Sequence, residues 1–481
     1  MDLLTVFRQV FVMMSPQLAG ISIGGAVTYP TVLLNQLRGA DSNIQLNMDT
    51  ASWLGSIQGL AGIPSILMPG LMQWKGRKIA FMTGCLTTII GWFVAYTATS
   101  ATGLLISESF HGLGGNSILP VSLLTISEMV DPLYRNVSMQ TFAICQALGI
   151  TLVVVMSRYL HWRTISIVMC VPMILALSFA SFWPESPSWL AYKGEFDKCE
   201  KAFKWLRGTN ARAQKELADL VAAQKESIAR DRNQMRKSPF MHSLRQLTNR
   251  DFFIPILHML LLLNLTYWSG GLVVIVYSID IIQRATGDAN FAFYGGVMIN
   301  CILLFGVTIS MILVKKFSNK SVLLFSAAGD IFFLACASLV TYLQSIEKLP
   351  RDSLLCMYCM IGFMVTSSLG LHPIPYDMAA EVVPVKYRGA GGIMYVIIMS
   401  LLHTSSLKLY PYLVVQLDLC GTFLIYMTNA IVCALLIWKY VPETKQKTLQ
   451  QIEDYYMFGE FDRKRILEAD DTDDTPMIDY S

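Results

Sequence analysis

The sequence predicts an all-α membrane protein, with twelve transmembrane helices in two six-helix halves and a cytosolic helical linker between them. Three observations carry this. Of 481 residues, 54% are hydrophobic and only 15% charged, and mean hydropathy is +0.48, against about a quarter charged in soluble domains. Apolar runs long enough to cross a bilayer occur six times, then a polar break, then six times more. Short motifs recur at matching places in the two sets.

A spanning helix needs roughly 20 apolar residues. Runs of that kind lie at approximately 10–34, 51–71, 79–99, 102–126, 138–160 and 164–183, then 253–279, 290–314, 321–343, 354–378, 390–414 and 421–441. Met1 to Gln9 lead into the first run without a short apolar core and cleavage site, so that run reads as an uncleaved span. The expected division is 1–183, an N-terminal half; 184–250, a linker; 251–441, a C-terminal half; and 442–481, a tail. The linker is polar, basic from Lys193 to Arg250 and helical around Ala211 to Ser227. It is too poorly apolar for an enzyme domain. The tail ends in acidic residues from Glu468 onward and is expected to be disordered.

Basic residues set the orientation, because cytoplasmic loops carry the excess. Lys75, Arg77 and Lys78, then Arg135, then Lys315, Lys316 and Lys320, then Lys386 and Arg388 follow the second, fourth, eighth and tenth runs. The other side has Arg38, Arg284, Lys348 and Arg351. Both termini are therefore expected in the cytoplasm.

Several classes are excluded. A net charge of +3 gives no basic field for nucleic acid. Cysteines such as Cys85, Cys170, Cys336 and Cys433 lie in apolar runs, where they act as small hydrophobes. Cys356 and Cys359 lack a second pair or a nearby histidine, so no metal is expected. No nucleophile, metal cluster or phosphate loop supports an enzyme, and no cofactor is expected.

The repeat is the strongest signal. Glu128-Met-Val-Asp-Pro-Leu-Tyr-Arg135 follows the fourth run and Glu381-Val-Val-Pro-Val-Lys-Tyr-Arg388 the tenth; Pro184-Glu185-Ser186-Pro187 follows the sixth and Pro442-Glu443-Thr444-Lys445 the twelfth. Parallel six-helix repeats belong to major facilitator transporters. With Pro184 to Leu190, Pro373-Ile374-Pro375, Tyr29-Pro30 and Gly421-Thr-Phe423, the chain resembles their sugar porter branch, most of all the arthropod trehalose and glucose facilitators, to about residue 455.

The resemblance implies a facilitative carrier at the plasma membrane, most simply a monomer, with a sugar as small-molecule partner and the lipid bilayer as solvent. A proton symporter and a non-transporting sugar sensor are the alternatives. It also implies a cytoplasmic gating network. Arg77, Lys78, Glu128, Arg135 and Glu185 match it in the first half, and Glu381, Arg388 and Glu443 in the second. There only Lys320 stands where the family has paired arginines. If such charges pair only while that end is closed, they form a latch, and the second latch is expected to be weak.

Sugar hydroxyls stripped of water must regain hydrogen bonds. The candidates are Gln146 in the fifth run, one turn beyond Ala143 at the family's glutamine position; Thr266, Tyr267, Trp268, Ser269 and Gly270 in the seventh; and Pro373, Pro375 and Tyr376 in the tenth, Tyr376 standing where the family usually has tryptophan. Three amides usual in the seventh are replaced, and each aromatic here has an alternative reading as helix packing. Ionisable groups inside spans are functional candidates. Glu108 stands where the family has arginine, three residues before His111 on the same helix face. The first run has no acid to complete the family's proton-coupling pair, which favours uniport. Either the two form a proton site or they sit hydrated near the outer mouth. Asp330 and Asp377 are further acids in apolar runs, with no role assigned.

Overall fold

The computed structural model describes residues 3–37, 44–234, 250–350, 353–382, 388–443, 445 and 455–456. Among these, every regular element is helical. The first half comprises α1 (Leu3–Gln36), α2 (Met48–Ala61), a 3₁₀ turn (Ile63–Leu67), α3 (Met68–Lys75), α4 (Arg77–Thr97), α5 (Ala101–Met129), α6 (Pro132–Met156) and α7 (Trp162–Phe182). Short helices α8 (Pro187–Tyr192), α9 (Phe196–Arg207) and α10 (Ala211–Gln234) follow. The second half comprises α11 (Arg250–Trp268), α12 (Gly271–Thr286), α13 (Ala289–Lys316), α14 (Asn319–Ser345), α15 (Leu355–Leu369), α16 (Ile374–Glu381) and α17 (Arg388–Tyr440).

Local chemistry starts these helices. Asn47 caps α2 by accepting from the Thr50 N–H, Ser100 caps α5 through Gly103, and Ser318 caps α14 through Ser321. Pro16 and Pro30 sit within α1 without ending it, as neighbouring helices and backbone adjustments permit in a bundle. Large apolar residues such as Phe182, Phe305, Phe325 and Trp438 face outward, which suits lipid.

Among the described residues, ten segments are long and apolar enough to cross a membrane. The expected run at 102–126 is not among them, because α5 is rich in Gly, Ser and Thr. The last two expected runs are merged into one, 390–440. A straight α17 of 53 residues would measure about 80 Å, far beyond a hydrocarbon layer of about 30 Å. It breaks at Asp418, where φ is 55° and ψ −177°. Before the break Lys408 reaches Asp49; after it Cys420 meets Ser338, and the Val441 carbonyl just beyond the helix meets Lys320. Since α14 runs from Lys320 to Ser338, the second limb of α17 runs antiparallel to it and the chain reverses.

Packing repeats between the halves. α1 packs on α6 and α7, and α4 on α5 and α7; likewise α11 packs on α17, and α14 on α15 and α17. The α1–α6 crossing depends on glycine. A Cβ on Gly24 would lie 1.9 Å from the Gln146 carbonyl oxygen, and one on Gly149 would lie 1.9 Å from that of Ile21. Small residues at crossings let backbones approach in lipid, where dispersion replaces the hydrophobic drive.

The helices after α7 are docked on the first half. α9 buries Cys199, Ala202, Phe203 and Leu206. The Gln9 amide donates to the Leu206 carbonyl and its oxygen accepts from the Asp131 N–H, while Arg207 holds Asp131 at 3.0 Å and the Val130 carbonyl at 2.9 Å. Residues 235–249 and the acidic tail lie outside the described residues.

Candidate substrate cavity and gates

Two expected spans are each divided in two. The seventh is α11 and α12, parted at Ser269–Gly270 and reaching Thr286; the tenth is α15 and α16, parted between Gly370 and Pro373. Gly270 has φ +94°, and a Cβ there would meet the Tyr426 ring at 3.1 Å, so conformation and space both require glycine.

Around these breaks the structure brings together three predicted residues. Tyr267 is buried, its ring edge-on to Tyr376 at 6.2 Å and to His403 at 5.8 Å. Trp268 donates to the Ser405 hydroxyl at 3.2 Å and packs edge-on against Tyr426 at 6.3 Å. Tyr376 follows Pro375 in α16, with His372 6.4 Å away. Pro375 is buried and Pro373 half-buried at the break itself. The hydroxyls of Thr266 and Ser269 are bonded to carbonyls of their own helix, Leu262 and Thr266. Gln146 lies half-buried on α6 of the other half.

Sequence reasoning missed His372 and His403. The His403 ring is half-buried, with Nδ1 enclosed, unbonded and facing Gly59 of α2 across the seam. An imidazole within an apolar run was the available signal. Asn264 and Asn429, joined at 2.9 Å, tie α11 to the second limb of α17.

Glu108 and His111 share a face of α5, and the carboxylate lies 3.5 Å from the imidazole Nδ1. Neither is hydrated at a mouth, and that expectation is corrected: Glu108 is 0% and His111 2% exposed. The Gly- and Ser-rich face of α5 admits α2 and α4 closely enough to enclose them. Gln58 of α2 donates to Glu108 Oε2 at 2.5 Å and to the Ala26 carbonyl of α1 at 2.8 Å. The Trp92 ring covers His111 at 4.2 Å.

The charged motif of the first half is assembled at the end of the bundle that carries α8–α10. Arg77 grips Glu128 in a bidentate pair at 2.9 and 2.8 Å. Glu128 also accepts from the Ser186 hydroxyl at 2.5 Å. Glu185 accepts from the N–H groups of Arg77, Lys78 and Ser186. Burial pushes its carboxyl above the usual range despite those donors. Lys78 donates to the carbonyls of Ser181 and Trp183. Arg135 is half-buried, and its Nε lacks a hydrogen-bond partner.

The second half repeats part of this. Glu443 accepts from the Lys320 and Lys445 N–H groups, and Lys320 Nζ donates to the carbonyls of Trp438 and Val441. Lys320 therefore plays the part of Lys78, and Asn319 stands where Arg77 does, its side-chain oxygen buried without a partner. Glu381 ends α16 and Arg388 begins α17; their side chains fall outside the described ones. Each described bond of either motif joins residues of one half. In the first half the ends of α4 and α5 and the turn after α7 are neighbours, which brings these charges together.

The bonds that do cross between halves lie elsewhere. Lys408 pairs with Asp49 at 2.6 Å and stands over the Trp53 ring at 4.2 Å, and the Tyr412 hydroxyl donates to Asp49 at 2.9 Å. Arg158 donates to Asn290 at 3.2 Å, Thr31 to the Val276 carbonyl at 2.6 Å and Thr151 to the Asn300 carbonyl at 3.1 Å. Asp49 and Lys408 carried no sequence motif; a lone lysine in an apolar run was the trace they left.

Two similarly packed helical halves with an apolar exterior, broken helices near their seam and bonds across it define a membrane carrier rather than an enzyme. The chain belongs to the family of sugar (and other) transporters, whose model matches residues 20–456. It is a multi-pass membrane protein of the sugar porter branch of the major facilitators. The facilitated trehalose transporter Tret1 of Apis mellifera ligustica is 26% identical over 92% of this chain and 87% of its own length. The sugar transporter ERD6-like 2 of Arabidopsis thaliana is 24% identical over 85% of this chain and 86% of its own. Among solved structures, the xylose transporter XylE from E. coli superposes with a TM-score of 0.74 at 16% identity, covering 92% of this chain and 99% of that one. At that identity the likeness speaks to the fold.

Proposed function

We propose that this chain is a facilitative carrier of a sugar, trehalose or a hexose, that works by alternating access in the plasma membrane. The observation that carries the reading is that the Asp49–Lys408 pair, with Arg158–Asn290 and Thr31–Val276, joins two separately packed halves at the end remote from Arg77 and Glu128. Those bonds form the outer gate, and the conformation is the inward-facing one. The helices cross twelve times, counting α5 and both limbs of α17. The Arg77 end, the linker and both termini are cytoplasmic, as the basic residues there require.

Substrate sits between Gln146 on one side and Tyr267, Trp268, Tyr376 and His403 on the other. Rings stack on the sugar's apolar face, and the indole, phenol and imidazole groups bond its hydroxyls. Uniport is supported by the first span, which has no acid to complete the proton-coupling pair that the family resemblance would require.

Radiolabelled trehalose and glucose uptake into oocytes, with counterflow in proteoliposomes at zero gradient, tests this. Saturable uptake with counterflow is expected. Surface-expressed protein that moves neither sugar above background refutes it.

A further inference from the structure

Asp330 belongs to neither the substrate region nor the charged motifs. It lies on α14, is 0% exposed, and faces α15. Thr366 donates to its Oδ1 at 2.6 Å, while Oδ2 has no hydrogen-bond partner. Ser367 also approaches the carboxyl. One turn back on α14, Ser326 donates to the Thr366 carbonyl and accepts from the Leu371 N–H. Among the described residues no Lys, Arg or His from α13, α15, α16 or α17 forms an ion pair with Asp330. The contrast with Glu108 is plain: that acid has His111, and this one has only hydroxyls.

A carboxylate enclosed among helices needs a positive charge to accompany it. The side-chain groups set beside the Asp330 carboxyl are the hydroxyls of Thr366 and Ser367, so the available ligand atoms are all oxygen. That set suits a hard cation rather than a transition metal. A single negative charge is balanced by a single positive one, whereas a divalent ion would leave a net charge buried. The C-terminal end of α15, at Leu369, adds the negative pole of a helix within a few residues. Unwound helix ends of this kind hold cations in other carriers.

We propose that Asp330, with the hydroxyls of Thr366 and Ser367, binds one monovalent cation, sodium or a proton, behind the break between α15 and α16. The place gives the ion leverage on the hinge. Ser367 Oγ lies 3.2 Å from where a Cβ on Gly271 would stand, so the site abuts the break of α11–α12 as well. An ion there ties α14 to α15 and steadies both broken helices as the half moves. It is a resident ligand, consistent with uniport, and its binding does not depend on what the carrier transports.

The test uses the full-length protein in detergent, with thermal melting in sodium chloride against choline chloride at fixed ionic strength, and at pH 5.5 against 7.5 in choline. A ligand of the native state raises the melting temperature in a saturable way. A response to sodium at fixed pH identifies sodium; a response to pH alone in choline identifies the proton. Asp330→Asn is expected to abolish whichever response the wild type shows. Thr366→Val, which keeps the carboxylate, is expected to raise the half-saturating sodium concentration, or shift the pH response, by about tenfold. It serves also if Asp330→Asn fails to fold. A wild type indifferent to both ions, or variants that respond as the wild type does, overturn the proposal. Absent sugar uptake would count against the transport reading and leave the melting result intact.

Discussion

Replacing Arg77 by asparagine, the residue at the matching place in the second half, removes the bidentate pair with Glu128 and the bond to the Met72 carbonyl at 3.2 Å. The partners' side chains are 15% and 13% exposed. Each charge-assisted bond is worth about 1.5–3 kcal/mol, and loss of one partner of a fully buried pair costs about 3–5 kcal/mol. Residual solvent and the Ser186 hydroxyl, which stays on Glu128, reduce this to about 2–3 kcal/mol. For a half of this size that lowers the melting temperature by roughly 5–10 °C. Because both partners lie within one half, the pair is expected in either state of the cytoplasmic mouth. Spin labels on α3 and α16 should then report the same distance distribution in Arg77→Asn as in the wild type, alongside the lower melting temperature. An unchanged melting temperature with a shifted distribution would refute this and restore a latch between halves.

Three further outcomes are expected. Lys408→Met removes the ion pair to Asp49 and the cation over Trp53, so a single cysteine placed at Thr31 should be modified from outside several-fold faster; an unchanged rate argues against an outer gate there. Gly270→Ala forces an L side chain into the left-handed region at about 1–2 kcal/mol and against Tyr426, so uptake should fall at least tenfold with folded protein still recovered, and wild-type uptake would count against the break mattering. Glu185 has its carboxyl raised above the ordinary 4.5 by burial, so the folded state binds a proton more tightly than the unfolded one. Its contribution to stability is fully present below the unfolded value and declines as pH rises through the raised one. Glu185→Gln should flatten the melting curve over that window, and a variant that tracks the wild type would show that Glu185 is not the group responsible.

Much of the architecture was legible because its causes are local. Run length against bilayer thickness marks a helix that crosses, and Ser or Asn before a run marks its start. The doubled Glu…Tyr-Arg and Pro-Glu motifs point to two copies of one packing scheme, and α4 and α14 have matched neighbours. The breaks at Gly270 and Pro373–Pro375 were partly visible, since proline disrupts the backbone ladder wherever it falls. α5 was read as a span from its apolar residues, although its small polar ones lower its average. The site was less legible. Tyr267, Trp268 and Tyr376 were found by position, but His403, Asp49 and Lys408 belong to no motif.

The sequence by itself determined helix, membrane and twofold repeat, because each depends on neighbours along the chain. Only the tertiary structure decided which charges meet. It placed Arg77 on Glu128 within one half, Lys408 on Asp49 across the seam, His111 and Glu108 in a sealed core, and Asp330 beside the Thr366 hydroxyl. Except for the Glu108–His111 pair, whose partners share one helix and whose enclosure alone is tertiary, those outcomes depend on elements far apart in sequence coming together, and a side chain's surroundings in lipid follow from that packing, not from its residue type.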